Sequence, residues 1–494
     1  MTTLGVVGAG TMGAGIAQLG CAAGMPTLLH DPVPEALERG AENVRKGLAK
    51  WAEKGRADAG AADLLEPVQE LEGLAGCDLV IEAAPERSDL KRELFGRLSE
   101  VCGDDAVLAS NTSSITVTGL ASAAANPENV VGMHFFNPPP LMELLEVIRA
   151  DQSGDRAVSL ATEVGEAMGK RVILAADGPG FLVNRCGRPF NAEALRLVQE
   201  RLATPEQVDR IVRLGGGFRM GPFELMDLVG IDVGFEVAKS FTELSFGEPR
   251  WKPSALQARM VAAGRLGRKT GRGWYEYEKK ETGKRLHHRG SPEEPLEPSG
   301  GNRRPVVVHG AGPLVEELRE RCRAAGYETV EGEGPETMID LEGGACLVLC
   351  AGSSLALSSR PDGVGFHLLP GSSLVELTGR RDGPAEGFFQ SIGLHTEWVG
   401  DAPGLVLGRI VCQLVNEAAF ALGEGVGSAE DIDDGMTLGL NHPRGPVAWS
   451  ETVGLDHVLA VLDALWEERR EERYRAAPLL RGGAASLREW RPPT

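Results

Sequence analysis

What this chain lacks narrows its possibilities first. No apolar stretch approaches the ~18 residues that cross a bilayer as a helix. Its start, MTTLGVVGAG, enters a strand-like run with no basic segment and no cleavage-site pattern before it. Neither a membrane span nor a secretory leader is expected, and the expected location is cytoplasmic. Cysteine is sparse: eight residues stand singly along 494, with no CxxC pair, which favours buried thiols over a disulfide framework. Zinc-type ligand spacing is missing as well. The closest histidine cluster, His287 and His288, sits in a charged proline-rich segment without ligand partners, so no metal site is expected. Positive charge is in deficit too, and a formal charge of −20 argues against sequence-independent binding to nucleic acid or to an anionic membrane.

What is present belongs to a globular chain too long for one core. With 494 residues, 42% of them apolar, about three domains are expected. The front segment, LGVVGAGTMGAGIAQLGCAAG, runs from an apolar strand through Gly8, Gly10 and Gly13, with Ala9, Thr11 and Met12 between them, into a small-residue helix. The first glycine permits the tight turn, the second lets backbone approach a pyrophosphate, and the third lets helix and strand pack closely. A second strand, MPTLLHD, ends in Asp31, placed to accept from a ribose 2′-hydroxyl and to repel a 2′-phosphate; this favours NAD over NADP. FAD uses the same fingerprint, so downstream chemistry must separate them. In the helical stretch that follows, Lys46, Lys50 and Lys54 recur every fourth residue. They form either a solvated face or a grip for a phosphorylated substrate tail.

Residues 132–146, GMHFFNPPPLMELLE, place His134 before Glu146 across a proline-stiffened turn. An imidazole titrates near neutrality, and a carboxylate on one ring nitrogen leaves the other free to take or return a proton. The pair therefore has the form of an oriented base.

Four segments in order, CDLVIEAAPERSDLKRELF, AVLASNTSSI, VVGMHFFNPPPLMELLEVI and DGPGFLVNR, resemble the 3-hydroxyacyl-CoA dehydrogenases over residues 1 to about 280. The resemblance implies hydride transfer between C3 of a 3-hydroxyacyl-CoA and NAD, with His134 as base and Glu146 as its orienting carboxylate. It implies Ser110 on the C3 oxygen, Asn184 completing the site, and Glu86, Lys91, Asn137 and Lys269 near the cofactor. It also sets Lys54, with Lys50, on coenzyme A, whereas Gly47 stands where the family often has a serine touching that group. Finally, it implies a helical substrate domain that commonly dimerises. A substrate with a second carboxylate would need a distal cation, for which Arg185 and Arg188 are the candidates.

After the charged stretch 279–305 the pattern restarts. PVVVHGAGPLVEELRERCRAAGYETVEGE repeats strand, turn, helix and strand, keeping Gly310 and Gly312, with Val315 for the third glycine and Glu333 near the acid position. From Asp177 onward the halves align without a gap, Asp177 with Asp401, Arg185 with Arg409, Glu193 with Glu417 and Thr204 with Ser428. Such self-similarity indicates duplication. His367 falls where His134 does, but Gly379, Cys350 and Gly408 fall at the positions of Glu146, Ser110 and Asn184. The second copy reads as a scaffold.

The expected architecture is an α/β Rossmann-type dinucleotide-binding domain (1–178), an all-α substrate and dimerisation domain (179–278), a linker (279–305), a truncated Rossmann-like remnant (306–398) and a second helical domain (399–494). The two helical domains are expected to pair within the chain, with a homodimer as a further possibility. The expected activity is NAD-dependent oxidation of a short-chain or dicarboxylic 3-hydroxyacyl-CoA at one site per chain. The alternatives are a non-catalytic protein on this fold and a dehydrogenase of small free hydroxy acids.

Overall fold

The computed structural model describes residues 2–279, 285–286, 293–482 and 486–490, so His287 and His288 lie outside the described residues. The chain forms two compact units. The first is Met1–Arg185 with Glu424–Leu440; the second is Cys186–Gly423 with Asn441–Thr494.

The first unit is built on an eight-stranded sheet of order β3-β2-β1-β4-β5-β6-β7-β8. Its strands are β1 (Leu4–Val7), β2 (Thr27–His30), β3 (Leu65–Val68), β4 (Leu79–Glu82), β5 (Val107–Ser110), β6 (Val130–Phe135), β7 (Leu144–Arg149) and β8 (Arg171–Ala176). The chain segments between them form α1 (Thr11–Ala22), α2 (Pro34–Glu53), α3 (Ser88–Val101), α4 (Val117–Ala121) and α5 (Asp155–Ala167), and α6 (Val183–Gln199) follows the last strand. All four residues of β1, β4 and β5 are buried, as expected of central parallel strands covered on both faces. The sheet is parallel except at β6 and β7, which run antiparallel with His134 directly opposite Glu146. This register is what brings base and carboxylate together.

Glu424–Leu440 also belongs to this unit. It comprises the helix Ala429–Asp434 and a π-turn, Gly435–Gly439. Ala176 donates its amide to the Val426 carbonyl (2.8 Å), and Arg171 holds Glu430 (3.0 Å) and Asp434 (2.6 Å). Arg185 is paired with Glu424 at 2.8 Å.

In the second unit, α7 (Pro205–Gly216) starts at Thr204 with a capping box, Thr204 and Gln207 bonding each other's backbone. α8 (Pro222–Val229), α9 (Ile231–Leu244), α10 (Ala255–Ala262) and the ribbon β9 (Glu278–Lys279) with β10 (Arg285–Leu286) follow. A second sheet has the order β12-β11-β13-β14-β15-β16-β17. Its strands are β11 (Pro305–Val308), β12 (Glu328–Glu331), β13 (Met338–Leu341), β14 (Cys346–Leu349), β15 (Val364–His367), β16 (Leu374–Gly379) and β17 (His395–Trp398); α11 (Pro313–Ala324) and α12 (Ala385–Ser391) lie between them, and α13 (Leu407–Gly423) follows. Its last four strands repeat the pairing of β5 to β8: parallel, antiparallel, parallel. β13 differs. It is antiparallel to both neighbours, because the few residues between β13 and β14 permit a hairpin but not the helical crossover that a parallel pair requires.

The compact units cut across the sequence-derived segments. The register that pairs Asp177 with Asp401 pairs 200–216 with 424–440, and it is these two stretches that depart from a simple tandem order. While 424–440 packs in the first unit, α7 packs on the second sheet. Gln207 donates to Glu397 (2.8 Å) and to the Trp398 carbonyl (2.9 Å), and Arg210 to Glu397 (2.6 Å). The second unit also buries a network joining both helical stretches: Arg409, fully buried, contacts Glu193 (2.5 Å) and Glu200 (3.0 Å) and donates to Tyr474 (2.7 Å), while Arg250 pairs with Glu417 at 2.9 Å. The register of the two halves pairs these stretches but carries no information about which sheet each would cover.

Candidate active site

The glycine loop meets the geometric demands of a dinucleotide. Gly8 has φ +101°, and a side chain on Gly13 would lie 1.7 Å from the Gly8 carbonyl oxygen, whereas the space beside Gly10 is open. α1 starts at Gly10 without a side-chain cap, so its first-turn amides remain available for an anion, with Thr11, Met12 and Gly13 forming that turn. Asp31 accepts from the Ala9 amide (2.9 Å) and the Val33 amide (2.9 Å). These bonds fix the carboxylate at the edge of the loop, where the ribose of a nucleotide would lie. The cradle fits NAD.

Glu82, at the end of β4, was not singled out from the sequence and anchors much of this region. Fully buried, it accepts from Lys91 (2.7 Å), the Ala84 amide (2.6 Å) and Ser110 (2.7 Å). Lys91 is itself buried and reaches Glu86 at 3.3 Å. Glu86 in turn gathers the SNTSS turn, accepting from Thr112 (2.5 Å), Ser113 (3.1 Å) and both the amide and hydroxyl of Ser114 (3.2 and 2.8 Å). Burial raises the Glu86 carboxyl, but Lys91 and these hydrogen bonds outweigh it and hold the group below the usual carboxylate range.

This arrangement corrects the expectation for Ser110. As the last residue of a central strand it is fully inaccessible, and its hydroxyl is donated to Glu82, so it cannot also donate to a substrate oxygen. Ser113 is the exposed hydroxyl of the turn. The buried run AVLAS contained the signal: a residue continuing a central strand is enclosed with it.

His134 Nδ1 donates to Glu146 Oε2 at 2.6 Å, and Glu146 Oε1 accepts from the amides of Leu182 (3.2 Å) and Val183 (2.9 Å). Glu146 is fully buried and His134 nearly so. The rings of Phe136 and Phe181 pack on the imidazole at centroid distances of 4.7 and 5.9 Å. Asn184 directly follows the two amides that hold Glu146, in the first turn of α6. The expected His134, Glu146 and Asn184 are therefore built into one region.

The turn between His134 and Glu146 is held from both sides. Pro139 and Pro140 lie 3.0–3.1 Å from where a side chain on Gly15 of α1 would stand, so a small residue there lets the nucleotide helix touch the proline turn. Lys170 donates to the carbonyls of Pro139 (2.7 Å) and Met142 (2.6 Å). Its burial pushes the ammonium down to about 8. No spacing in the sequence announced this lysine. Asn137 is exposed on the same turn.

Lys46, Lys50 and Lys54 are exposed along α2 and at its end, with Lys46 paired to Glu42 at 2.5 Å. The space beside Gly47 is taken by the Gln18 amide, 2.2 Å from where a side chain would start, which accounts for the glycine. Lys269, in the second unit, is paired with Asp232 at 2.6 Å.

His367 has a different setting from the one expected. Opposite His367 in the sheet stands Glu376, not Gly379, because the turn between the strands is shorter than its counterpart. The carboxylate thus survives, and it accepts from the amides of Val406 (2.7 Å) and Leu407 (3.0 Å) as Glu146 does from Leu182 and Val183. The pair is nevertheless broken. His367 Nδ1 lies 3.9 Å from Glu376, and Nε2 faces His457 Nε2 at 3.2 Å. Burial pushes His367 well below its ordinary range and Glu376 up to about 8. A side chain on Gly408 would enter the His367 ring at 2.3 Å, so the ring fills the space an asparagine would need.

A nucleotide cradle feeding an oriented histidine defines an NAD-dependent oxidoreductase. The sequence model of the 3-hydroxyacyl-CoA dehydrogenase NAD binding domain matches residues 3–178, and that of the family's C-terminal domain matches twice, at 180–277 and 404–487. The chain is 35% identical over 487 residues to the 3-hydroxyadipyl-CoA dehydrogenase of Escherichia coli, covering 97% of this chain and 96% of that one. It is 41% identical over 276 residues to a probable 3-hydroxybutyryl-CoA dehydrogenase of Deinococcus radiodurans, covering 55% of this chain and 99% of that one. A crystal structure of 3-hydroxybutyryl-CoA dehydrogenase from Escherichia coli aligns with a TM-score of 0.83 at 34% identity over 97% of both chains. The chain belongs to the 3-hydroxyacyl-CoA dehydrogenase family, and its cofactor is NAD. Among the described residues no helix is long and apolar enough to cross a membrane.

Proposed function

We propose that the protein oxidises a 3-hydroxyacyl-CoA to the 3-oxoacyl-CoA at a single site per chain. The observation that carries this reading is the 2.6 Å His134–Glu146 pair. With Nδ1 held by the carboxylate, Nε2 takes the proton of the C3 hydroxyl as the C3–H bond breaks and the carbonyl forms. NAD bound at the glycine loop supplies the hydride acceptor. Ser113 and Asn184 donate to the C3 oxygen, a contribution of order 10²–10³ in rate per donor, while Ser110 and Lys91 keep Glu82 and the SNTSS turn in place. Lys50 and Lys54 face the phosphates of coenzyme A, and Asn137 borders the nicotinamide end.

One site per chain follows from the second copy, where the histidine is enclosed, separated from its carboxylate and packed against Gly408. That copy serves instead as a built-in partner. Arg185 reaches Glu424, and its counterpart Arg409 reaches Glu200, the counterpart of Glu424; reciprocal contacts of this kind are those of a two-fold interface. The test is NADH formation from 3-hydroxybutyryl-CoA and NAD. His134→Ala should abolish turnover with little change in the Kd for NAD, and normal turnover in that variant would remove the assigned base.

A further inference from the structure

We propose that Gly427, Gly435 and Gly439 are positioning residues for the catalytic pair: the stretch that carries them fixes the backbone holding Glu146 and the ring bordering His134. The proposal rests on the reading above, in which that pair takes the substrate proton. All three glycines belong to Glu424–Leu440, which folds into the first unit. None has a left-handed backbone conformation, so the backbone itself would accept other residues. What excludes a side chain is the neighbour each one meets. A first carbon on Gly435 would stand 2.7 Å from Cγ2 of Val183. One on Gly427 would stand 2.7 Å from Cδ2 of Leu182 and 3.2 Å from the Leu174 carbonyl oxygen, and one on Gly439 would stand 2.8 Å from Leu144 and 3.3 Å from the Phe136 ring.

These neighbours are the ones that hold the site. Leu182 and Val183 supply the two amides that Glu146 accepts, Phe136 packs on the His134 imidazole, and Leu144 opens the strand that carries Glu146. One stretch of chain thus closes on both members of the pair. Its own place is fixed by the Ala176 amide on the Val426 carbonyl and by Arg171 on Glu430 and Asp434, and Gly435, Met436 and Gly439 are buried. In the register that pairs Asp177 with Asp401, Gly427 and Ala203 each precede a capping hydroxyl, Ser428 and Thr204, and Gly435 falls at the position of Ile211. The helical motif therefore admits a side chain at both positions. Glycine stands at 427 and 435 because the start of α6 lies against them.

The size of the effect follows from the contact distance. Carbon atoms rest about 3.5–4.0 Å apart, so the new methyl of Gly435→Ala drives Val183 aside by about 1 Å. A β-branched side chain in a helix has one strongly preferred rotamer and does not swing clear. The Val183 amide moves with it, and with the amide moves the carboxylate that sets the His134 ring.

The experiment measures kcat and KM for 3-hydroxybutyryl-CoA in the full-length protein, Gly435→Ala, Val183→Ala and the double variant, expressed per NAD-binding site from fluorescence titration. Counting NAD-binding sites removes unfolded chains from the comparison. Gly435→Ala should lower kcat about 10- to 100-fold, since a misplacement of about 1 Å can cost that much, with KM and the Kd for NAD little changed. Val183→Ala removes the atom that the new side chain strikes, so the double variant should regain the kcat of Val183→Ala alone. That rescue shows that the loss travels through this contact, because changes that share no contact add. Gly427→Ala, which meets the flexible end of Leu182, should show a smaller fall of the same kind. A folded Gly435→Ala with wild-type kcat per site overturns the proposal, as does a double variant no better than Gly435→Ala, or a loss of NAD affinity that matches the loss of kcat. If Gly435→Ala does not fold, a wild-type kcat in Gly427→Ala overturns it. A wild type that does not oxidise the substrate overturns instead the acyl-CoA reading on which the proposal rests.

Discussion

Replacing Glu146 by glutamine changes one atom and should remove most of the activity. The carboxylate accepts three hydrogen bonds, from His134 Nδ1 and from the amides of Leu182 and Val183. In Glu146→Gln the side-chain oxygen must stay with the two buried amides, because turning NH₂ toward them would leave donor facing donor at 1–3 kcal/mol per unsatisfied group. The NH₂ then faces Nδ1, which has to become an acceptor, and the imidazole proton moves to Nε2. The nitrogen that should receive the substrate proton now carries one. A general base contributes about 10²–10⁴ in rate, so kcat should fall by roughly 10³, equivalent to about 4 kcal/mol of transition-state stabilisation. Since the shape and both backbone bonds are kept, the Tm should move little. Following NADH at 340 nm under saturating 3-hydroxybutyryl-CoA, alongside fluorescence titration of NAD, separates the chemistry from binding. A Glu146→Gln enzyme within tenfold of the wild-type kcat would refute the tautomer argument, and a parallel rise in the Kd for NAD would show that the defect is not confined to the base.

Three further substitutions probe other parts of the molecule. Glu82→Ala strands the buried Lys91 and should cost about 3–5 kcal/mol in urea unfolding; a loss below 1 kcal/mol would mean that Glu86 suffices as its partner. Gly439→Val thrusts a side chain toward Phe136 and Leu144, where a first carbon already stands 3.3 and 2.8 Å away. Because Phe136 packs on the His134 ring, kcat should fall about tenfold or more with NAD affinity unchanged. An unaffected kcat would show that Glu424–Leu440 does not position the base. His442 is enclosed by Phe190 and Phe218, and burial pushes it down to about 4. Between its unfolded value near 6.5 and that folded value the unfolded chain binds the extra proton, so stability is lost as the pH falls through this window, by about 2 kcal/mol at pH 5. His442→Phe should retain more of its pH 7 stability at pH 5 than the wild type does, and equal losses in denaturant titrations would exclude His442 as the acid-labile group.

How far the sequence could be read depended on whether a feature was set by local order or by distant packing. Gly8, Gly10, Gly13 and Asp31 are set by order along a strand, turn and helix, and they stand in the structure as a nucleotide loop. His134 and Glu146 are set by a single antiparallel register, and they meet. Ser110 was misjudged because a motif was read without the strand it ends: the chain encloses whatever closes a central parallel strand, and the exposed hydroxyl comes three residues later. Glu82 and Lys170 act through buried bonds to residues remote in sequence, which no periodicity encodes. The placement of 424–440 in the first unit and of α7 on the second sheet was equally invisible, since it rests on contacts such as Arg171–Asp434 and Gln207–Glu397 between residues remote in sequence.

The region around His367 shows how spacing alone can mislead. Counting the same number of residues from His367 as from His134 reaches Gly379 and implies that the carboxylate was lost. Pairing across the sheet reaches Glu376, still bound to two backbone amides as its counterpart is. Those amides explain its survival: they open α13 and require a buried acceptor whether or not any reaction takes place, since a buried donor left unpaired costs 1–3 kcal/mol. Glu146 therefore does two things at once, holding the start of α6 and bonding His134 at 2.6 Å, whereas Glu376 does only the first. Both regions thus keep a histidine opposite a glutamate. The two pairs differ in distance, 2.6 Å between His134 and Glu146 against 3.9 Å between His367 and Glu376, and in the side chain of Asn184, where Gly408 has none.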